Sequence, residues 1–137
     1  MVILCISNSG RDLPESLLDS ASGIEAGTVF PLEVGKEYVV LALTVERGYI
    51  WYYICDEDYS YYPVWSPAPL FNVVDGRLSS YWVYAYHREM GEQDYPIFAF
   101  AEWASEPFYY DRLTDGKEVE LELFLKYRDL MEREASE

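Results

Sequence analysis

Apolar positions along this chain follow two different periods, and the change falls near Phe100. From Leu32 onward, short apolar runs are separated by turn signals. Residues 37–45 (Glu-Tyr-Val-Val-Leu-Ala-Leu-Thr-Val) are largely β-branched or apolar with no glycine or proline, as expected of a buried strand. Glu46-Arg47-Gly48 is a turn in which glycine can take the positive φ of a hairpin. Residues 49–55 predict a second strand, and Asp56-Glu57-Asp58 a second turn. Tyr59 to Trp65 predicts a third strand, ended by Pro67 and Pro69. Leu70 to Val74 predicts a fourth. Four short strands joined by tight turns expose too much edge to lie flat, so a small closed barrel or a rolled sheet is expected.

Upstream, Met1 to Ile6 predicts a strand that ends in the turn residues Ser7-Asn8-Ser9-Gly10. Asp12 can cap a short helical turn with Pro14 in its first turn. The rest of residues 7–30 is expected to form a loop, pinned by Ile24, Val29 and Phe30. Downstream, Tyr81 to Tyr86 and Tyr95 to Phe100 predict an antiparallel pair, with His87 to Asp94 as its exposed loop.

Beyond Phe100 the period becomes helical. Ala101 to Ala104 makes one turn, and Ser105-Glu106-Pro107 restarts the chain with Ser105 as cap. Phe108, Tyr109 and Leu113 form a stripe that Thr114-Asp115-Gly116 interrupts. Residues 117–134 predict the longest helix, with Leu123, Phe124, Tyr127, Leu130 and Met131 on one side. The expected fold is therefore mainly β with C-terminal helices (α+β), built on a small antiparallel barrel or roll. One domain, 1–137, is expected: a strand and loop over 1–31, the barrel or roll over 32–100, and a helical segment over 101–137.

Composition changes this picture in two ways. Aromatic residues make up 18% of the chain, with 14 Tyr and 4 Trp, more than a core of this size requires. Some must reach the surface, where Tyr and Trp favour recognition. The net charge is −15, and no basic run is present. Repulsion disfavours nucleic acid and anionic membranes, whereas a basic protein would be attracted. Cys5 and Cys55 lie in apolar strand runs and are expected to be free thiols. No stretch reads as a signal peptide or a membrane span, so a cytoplasmic protein is expected.

Catalytic signals are sparse. Asp56-Glu57-Asp58 offers oxygens to a hard cation, but the spacing and glycine of an EF-hand are missing. There is no CxxC, GxSxG, GxGxxG or P-loop, and His87 is the single histidine, placed at a strand end. No catalytic residue, cofactor or metal is assigned. The aromatic segments carry the candidate site. Tyr49, Trp51 and Tyr53 share one strand face, and Tyr59, Tyr61, Tyr62 and Trp65 follow on the next strand, with carboxylates at the edge. Trp51, Asp56, Glu57, Asp58, Tyr59, Tyr61 and Trp65 form the candidate partner-binding set: rings for affinity, a rim of charge for steering. The same face could equally be the packing surface of the C-terminal helices.

The run Leu32, Val34-Gly35-Lys36-Glu37-Tyr38-Val39-Val40, then the 49–55 strand and Pro69-Leu70-Phe71-Asn72-Val73-Val74, resembles SH3-like small barrels. Its small size, acidity and Tyr/Trp content also make the chain similar to bacterial immunity proteins of toxin–immunity systems, as in contact-dependent growth inhibition. That resemblance implies a non-enzymatic protein that binds and masks a basic toxin domain, such as a nuclease. The SH3-like resemblance implies an adaptor or self-associating scaffold subunit instead. An enzyme using scattered carboxylates ranks last.

Overall fold

The computed structural model describes residues 1–88 and 94–137. The fold is mainly β with C-terminal helices. Eight strands run in the order β1 (Val2–Cys5), β2 (Glu37–Val39), β3 (Ala42–Glu46), β4 (Tyr49–Ile54), β5 (Val64–Pro67), β6 (Phe71–Asp75), β7 (Trp82–His87) and β8 (Tyr95–Phe100). Three helices follow: α1 (Ala101–Ala104), α2 (Tyr109–Thr114) and α3 (Glu118–Ala135). The strands form two antiparallel sheets, β2-β1-β6 and β5-β4-β3-β8-β7. The arrangement is a roll; the sheets do not close into a barrel.

The roll is made by one strand that changes sheets. Residues 37–45 are the continuous run expected from the sequence, but the backbone bends at Val40-Leu41. Val40 N–H still donates to Met1 O at 3.0 Å in the first sheet, while Leu41 N–H donates to Tyr53 O at 2.8 Å in the second. Such bends are how strands turn the corner between packed sheets. Trp82 Nε1 donates to Leu41 O at 3.0 Å, giving that carbonyl a partner at the bend. The chain returns to the first sheet through the 3₁₀ turn Ala68–Leu70, after Pro67.

Alternation along the five-stranded sheet produces two cores. Leu43, Tyr52 and Ile54 face the first sheet and pack with Ile3, Cys5, Tyr38, Val40, Leu70 and Phe71. Ala42, Tyr53, Ile97 and Ala99 face the helices and pack with Phe100, Trp103, Tyr109, Leu113, Phe124 and Met131. The β3–β4 hairpin closes on Arg47-Gly48, with φ of 52° and 79°. Positive φ is costly for arginine, and its guanidinium sits 5.3 Å from the Trp51 ring centroid, a compensating contact.

Four local expectations are corrected. Residues 59–62 are not strand: the third strand begins only at Val64. In the N-terminal segment, Ser9, not Asp12, caps the first 3₁₀ turn, and Asp12 accepts from Ser7 Oγ. Leu13 and Leu17 bury that segment on the first core, with Ile24 and Phe30 packed alongside, whereas Val29 is exposed. Gly10 is needed here, because a Cβ would lie 1.9 Å from Glu25 O. Ser105 ends α1 and does not open α2, whose N-cap position is Phe108. The tip of the loop expected between His87 and Asp94, residues 89–93, lies outside the described residues.

The helical segment follows its sequence pattern closely. Gly116, at φ 79°, ends α2 with Gly116 N–H on Leu113 O and Lys117 N–H on Arg112 O, the paired bonds of a Schellman motif. Helix α3 buries Phe124 and Met131, with Leu121, Leu125 and Tyr127 alongside. No helix among the described residues is long and apolar enough to cross a membrane.

Candidate functional site

The expected aromatic platform is divided by the structure. Trp51 is buried at 3% exposure, its ring 5.2 Å from Trp65, so it supports the surface from beneath and does not contribute to it. Tyr49 is half-buried and its hydroxyl bonds Ser16 Oγ at 2.9 Å. Tyr53 is covered by the helices, with Trp103 at 4.9 Å and Tyr110 at 5.2 Å, both edge to face. The helices therefore do pack on this face, but only on part of it. Trp65, on the edge strand β5, stays 40% exposed beside Tyr53 and Trp51.

Residues 56–62 form a loop tied down from several sides. Asp56 Oδ1 accepts from the backbone N–H of Asp58 at 2.9 Å and of Tyr59 at 3.0 Å. This Asx-type turn competes with strand formation and explains why the tyrosine run leaves the sheet. Glu57 N–H donates to Pro31 O at 3.0 Å, and Lys36 Nζ pairs with the Glu57 carboxylate at 2.7 Å. Arg128 of α3 donates to Ser60 O at 2.6 Å, and Tyr110 of α2 to Pro63 O at 2.7 Å.

The three expected rim carboxylates thus differ in kind. Asp56 is only 8% exposed and serves the loop backbone, so it is not a solvent-facing rim charge. Burial raises its pKa, against the lowering effect of its two backbone hydrogen bonds. Glu57 is paired with Lys36. Asp58 alone is exposed without a basic partner among the described residues. Tyr59 and Tyr61 project from the same loop, with Tyr61 50% exposed, and make a cluster with Tyr62 at centroid distances of 4.7 to 5.9 Å.

Tyr110 stands between this loop and a cleft that the sequence did not suggest. The cleft has a volume of about 420 Å³ and opens between the helix-facing side of the large sheet and the α1–α2 segment. Tyr53, Trp65, Tyr95, Trp103 and Tyr110 supply rings, and Glu46, Asp94, Glu106 and Asp111 supply carboxylates. His87 is buried in its wall. Its Nε2 lies 2.6 Å from Ala104 O and its Nδ1 3.0 Å from Tyr95 Oη. A carbonyl only accepts, so Nε2 carries the proton and His87 fastens the end of α1 to the sheet. No family model, no curated protein and no solved structure matches the chain. The reading of the site therefore stands on its own residues.

Among the described residues, no group of three or more His, Cys, Asp or Glu side chains is placed to hold a metal ion. The Asp56-Glu57-Asp58 carboxylates diverge, for the reasons given above. Both cysteines are free. Burial pushes the Cys55 thiol up to about 12 and raises Cys5 as well, while their S–H groups donate to Ser60 O and Ser7 O. Little thiolate forms at pH 8, so native protein is expected to label slowly with a disulfide reagent, and unfolded protein to count both thiols at once. Rapid labelling of the native protein, or a count of zero after unfolding without reductant, would contradict this assignment.

Proposed function

We propose that this protein is a non-enzymatic cytoplasmic binding module that captures and masks a basic protein, in the manner of a bacterial immunity protein acting on a basic toxin domain such as a nuclease. One observation carries the reading. The 56–62 loop presents Tyr59 and Tyr61 with Asp58, the cleft brings Trp65 together with Asp94 and Asp111, and Tyr110 links the two; none of these carboxylates has a basic partner among the described residues. Exposed rings beside uncompensated carboxylates, on a chain of net charge −15, suit a positively charged protein surface. Trp65 is buttressed by buried Trp51 and Tyr53, and Tyr59 and Tyr61 by Tyr62; such preorganisation lowers the entropic cost of docking.

A second reading, a self-associating scaffold, is favoured by strand β7. It is a sheet edge with Val83, Tyr84 and Tyr86 exposed and no charge or proline within Trp82–Tyr86. Natural edges usually carry such protection. One experiment separates the two. The tagged protein is used to capture a partner from its native host at low salt, and its molar mass is measured alone in solution. A basic partner whose toxic activity is abolished in the complex is expected. A stable dimer with no partner would sink the masking role and favour the scaffold.

A further inference from the structure

We propose that the cleft between the large sheet and helices α1 and α2 receives a guanidinium group, an arginine side chain presented by the partner. This rests on the basic-partner reading above. The first observation is the Tyr53 hydroxyl. Tyr53 is 9% exposed and lines the cleft, yet its hydroxyl has no hydrogen-bond partner among the described residues. The only buried side-chain polar atom left without a partner among the described residues is Arg47 Nε, so the Tyr53 hydroxyl oxygen itself reaches solvent, at the cleft its ring lines. Burial raises its pKa, and the ionisable groups that add to the effect, Tyr110, Tyr95, Glu46 and Asp111, all belong to the cleft wall. The hydroxyl therefore faces the cleft and is free to accept a hydrogen bond from an N–H group.

The second observation is the arrangement of the rings. Tyr53 and Trp65 lie nearly parallel at 11°, and Trp103 and Tyr110 nearly parallel at 15°. Tyr53 stands at 84° to Trp103 and 72° to Tyr110, so the two pairs form a corner of aromatic walls. A flat cation can lie against one wall and point its N–H groups along the other. The protein already holds one guanidinium against an indole, Arg47 over Trp51.

Charge supplies the third. Glu46 and Glu106 have basic neighbours only at 3.9 and 3.6 Å, Arg47 and Arg112 respectively, and Asp94 and Asp111 have none among the described residues. This lining repels anions and attracts cations. A guanidinium suits it better than an ammonium, because it is planar, more weakly hydrated and stacks on rings. The volume, about 420 Å³, leaves room for the side chain and its stem.

The test titrates the full-length protein with N-acetyl-arginine methylamide, its lysine counterpart and the neutral isostere N-acetyl-citrulline methylamide, reading the indole N–H resonances of Trp65 and Trp103. The arginine compound is expected to shift both indoles and saturate. The lysine compound is expected to bind at least about threefold more weakly, and citrulline not measurably. Tyr53→Phe should weaken arginine binding about tenfold, because a hydrogen bond to a charged group is lost. The same substitution should leave the melting temperature nearly unchanged, since the hydroxyl bonds no other group among the described residues. Silent indoles, equal binding of citrulline, or a Tyr53→Phe protein that binds arginine normally would overturn the assignment. A partner that binds Tyr53→Phe with wild-type affinity would also overturn it while leaving the masking role intact. Arginine binding as described, with no basic partner found, would sustain the cleft assignment and end the partner reading.

Discussion

Replacing Phe100 by alanine is expected to cost about 3–5 kcal/mol, the range for a large ring removed from a closed core. Phe100 is the last residue of β8 and is 1% exposed. Its ring stacks on Tyr127 of α3 at 4.2 Å and meets Trp103 of α1 at 5.8 Å and Tyr109 of α2 at 5.4 Å. One side chain thus joins the sheet to all three helices. The cavity left by alanine cannot collapse easily, because its neighbours are rings held by other contacts: Tyr109 by Glu120 O at 2.6 Å and Tyr127 by Glu102. Domains of this size are stable by about 5–15 kcal/mol in total, so the loss is a large fraction. In melting temperature it corresponds to a fall of roughly 10–20 °C. Phe108→Ala, at an exposed position two residues after Glu106, is the control and should change stability by less than about 0.5 kcal/mol. If Phe100→Ala melts within a few degrees of the wild type, the helices are not docked as described, and neither is the cleft they bound.

Much of this fold was legible in the sequence, for reasons that differ by element. Helix α3 shows its period because Phe124 and Met131 need burial while the charged residues between them do not. The Arg47-Gly48 hairpin shows because glycine supplies positive φ. The bend at Val40-Leu41 does not show. Both faces of that strand are apolar, since each belongs to a different core, so no alternation marks the point where it changes sheets. Residues 59–62 misled because three tyrosines suggest strand, while the feature that decides the conformation is the Asp56 carboxylate, which takes two backbone amides of its own loop. The candidate site divides in the same way. Asp58 was legible because turn residues reach solvent; Tyr59 and Tyr61 were expected on a strand and reach solvent from a loop, while Trp65 is exposed on a strand as expected. Burial of Tyr53 depends on what the helices cover, whereas Trp51 packs with the first core and against Trp65. The cleft draws on β3, β4, β5, β7, β8, α1 and α2, and only the tertiary fold brings those segments together. Its one local hint was the surplus of rings over what the core requires.

On the proposed surface, Trp65→Ala and Asp58→Asn are expected to weaken partner binding by different kinetic routes. Trp65 is 40% exposed and rests on Trp51 and Tyr53, so its removal costs only about 1–2 kcal/mol of stability and leaves a folded protein. As a large ring that docking would desolvate fully, it is expected to contribute at least ~2 kcal/mol to the complex. That loss should appear as dissociation faster by roughly 30-fold, at any ionic strength. Asp58 is exposed and unpaired among the described residues, so it acts through the field it projects. Asp58→Asn should slow association a few-fold at low salt, and the difference should vanish as the Debye length falls to ~3 Å near 1 M salt. Asp56→Asn separates loop structure from charge. The asparagine oxygen can still accept from the two amides. Burial is the larger influence on the Asp56 pKa and holds it above the unfolded value. The stability tied to this group is therefore present below the unfolded pKa and lost as pH rises through the folded one. At neutral pH Asp56→Asn should thus be at least as stable as the wild type. Association and dissociation rates measured with stability on the same three variants decide the matter. If Trp65→Ala leaves dissociation unchanged and Asp58→Asn leaves association unchanged at low salt, partner capture does not occur on this side of the molecule.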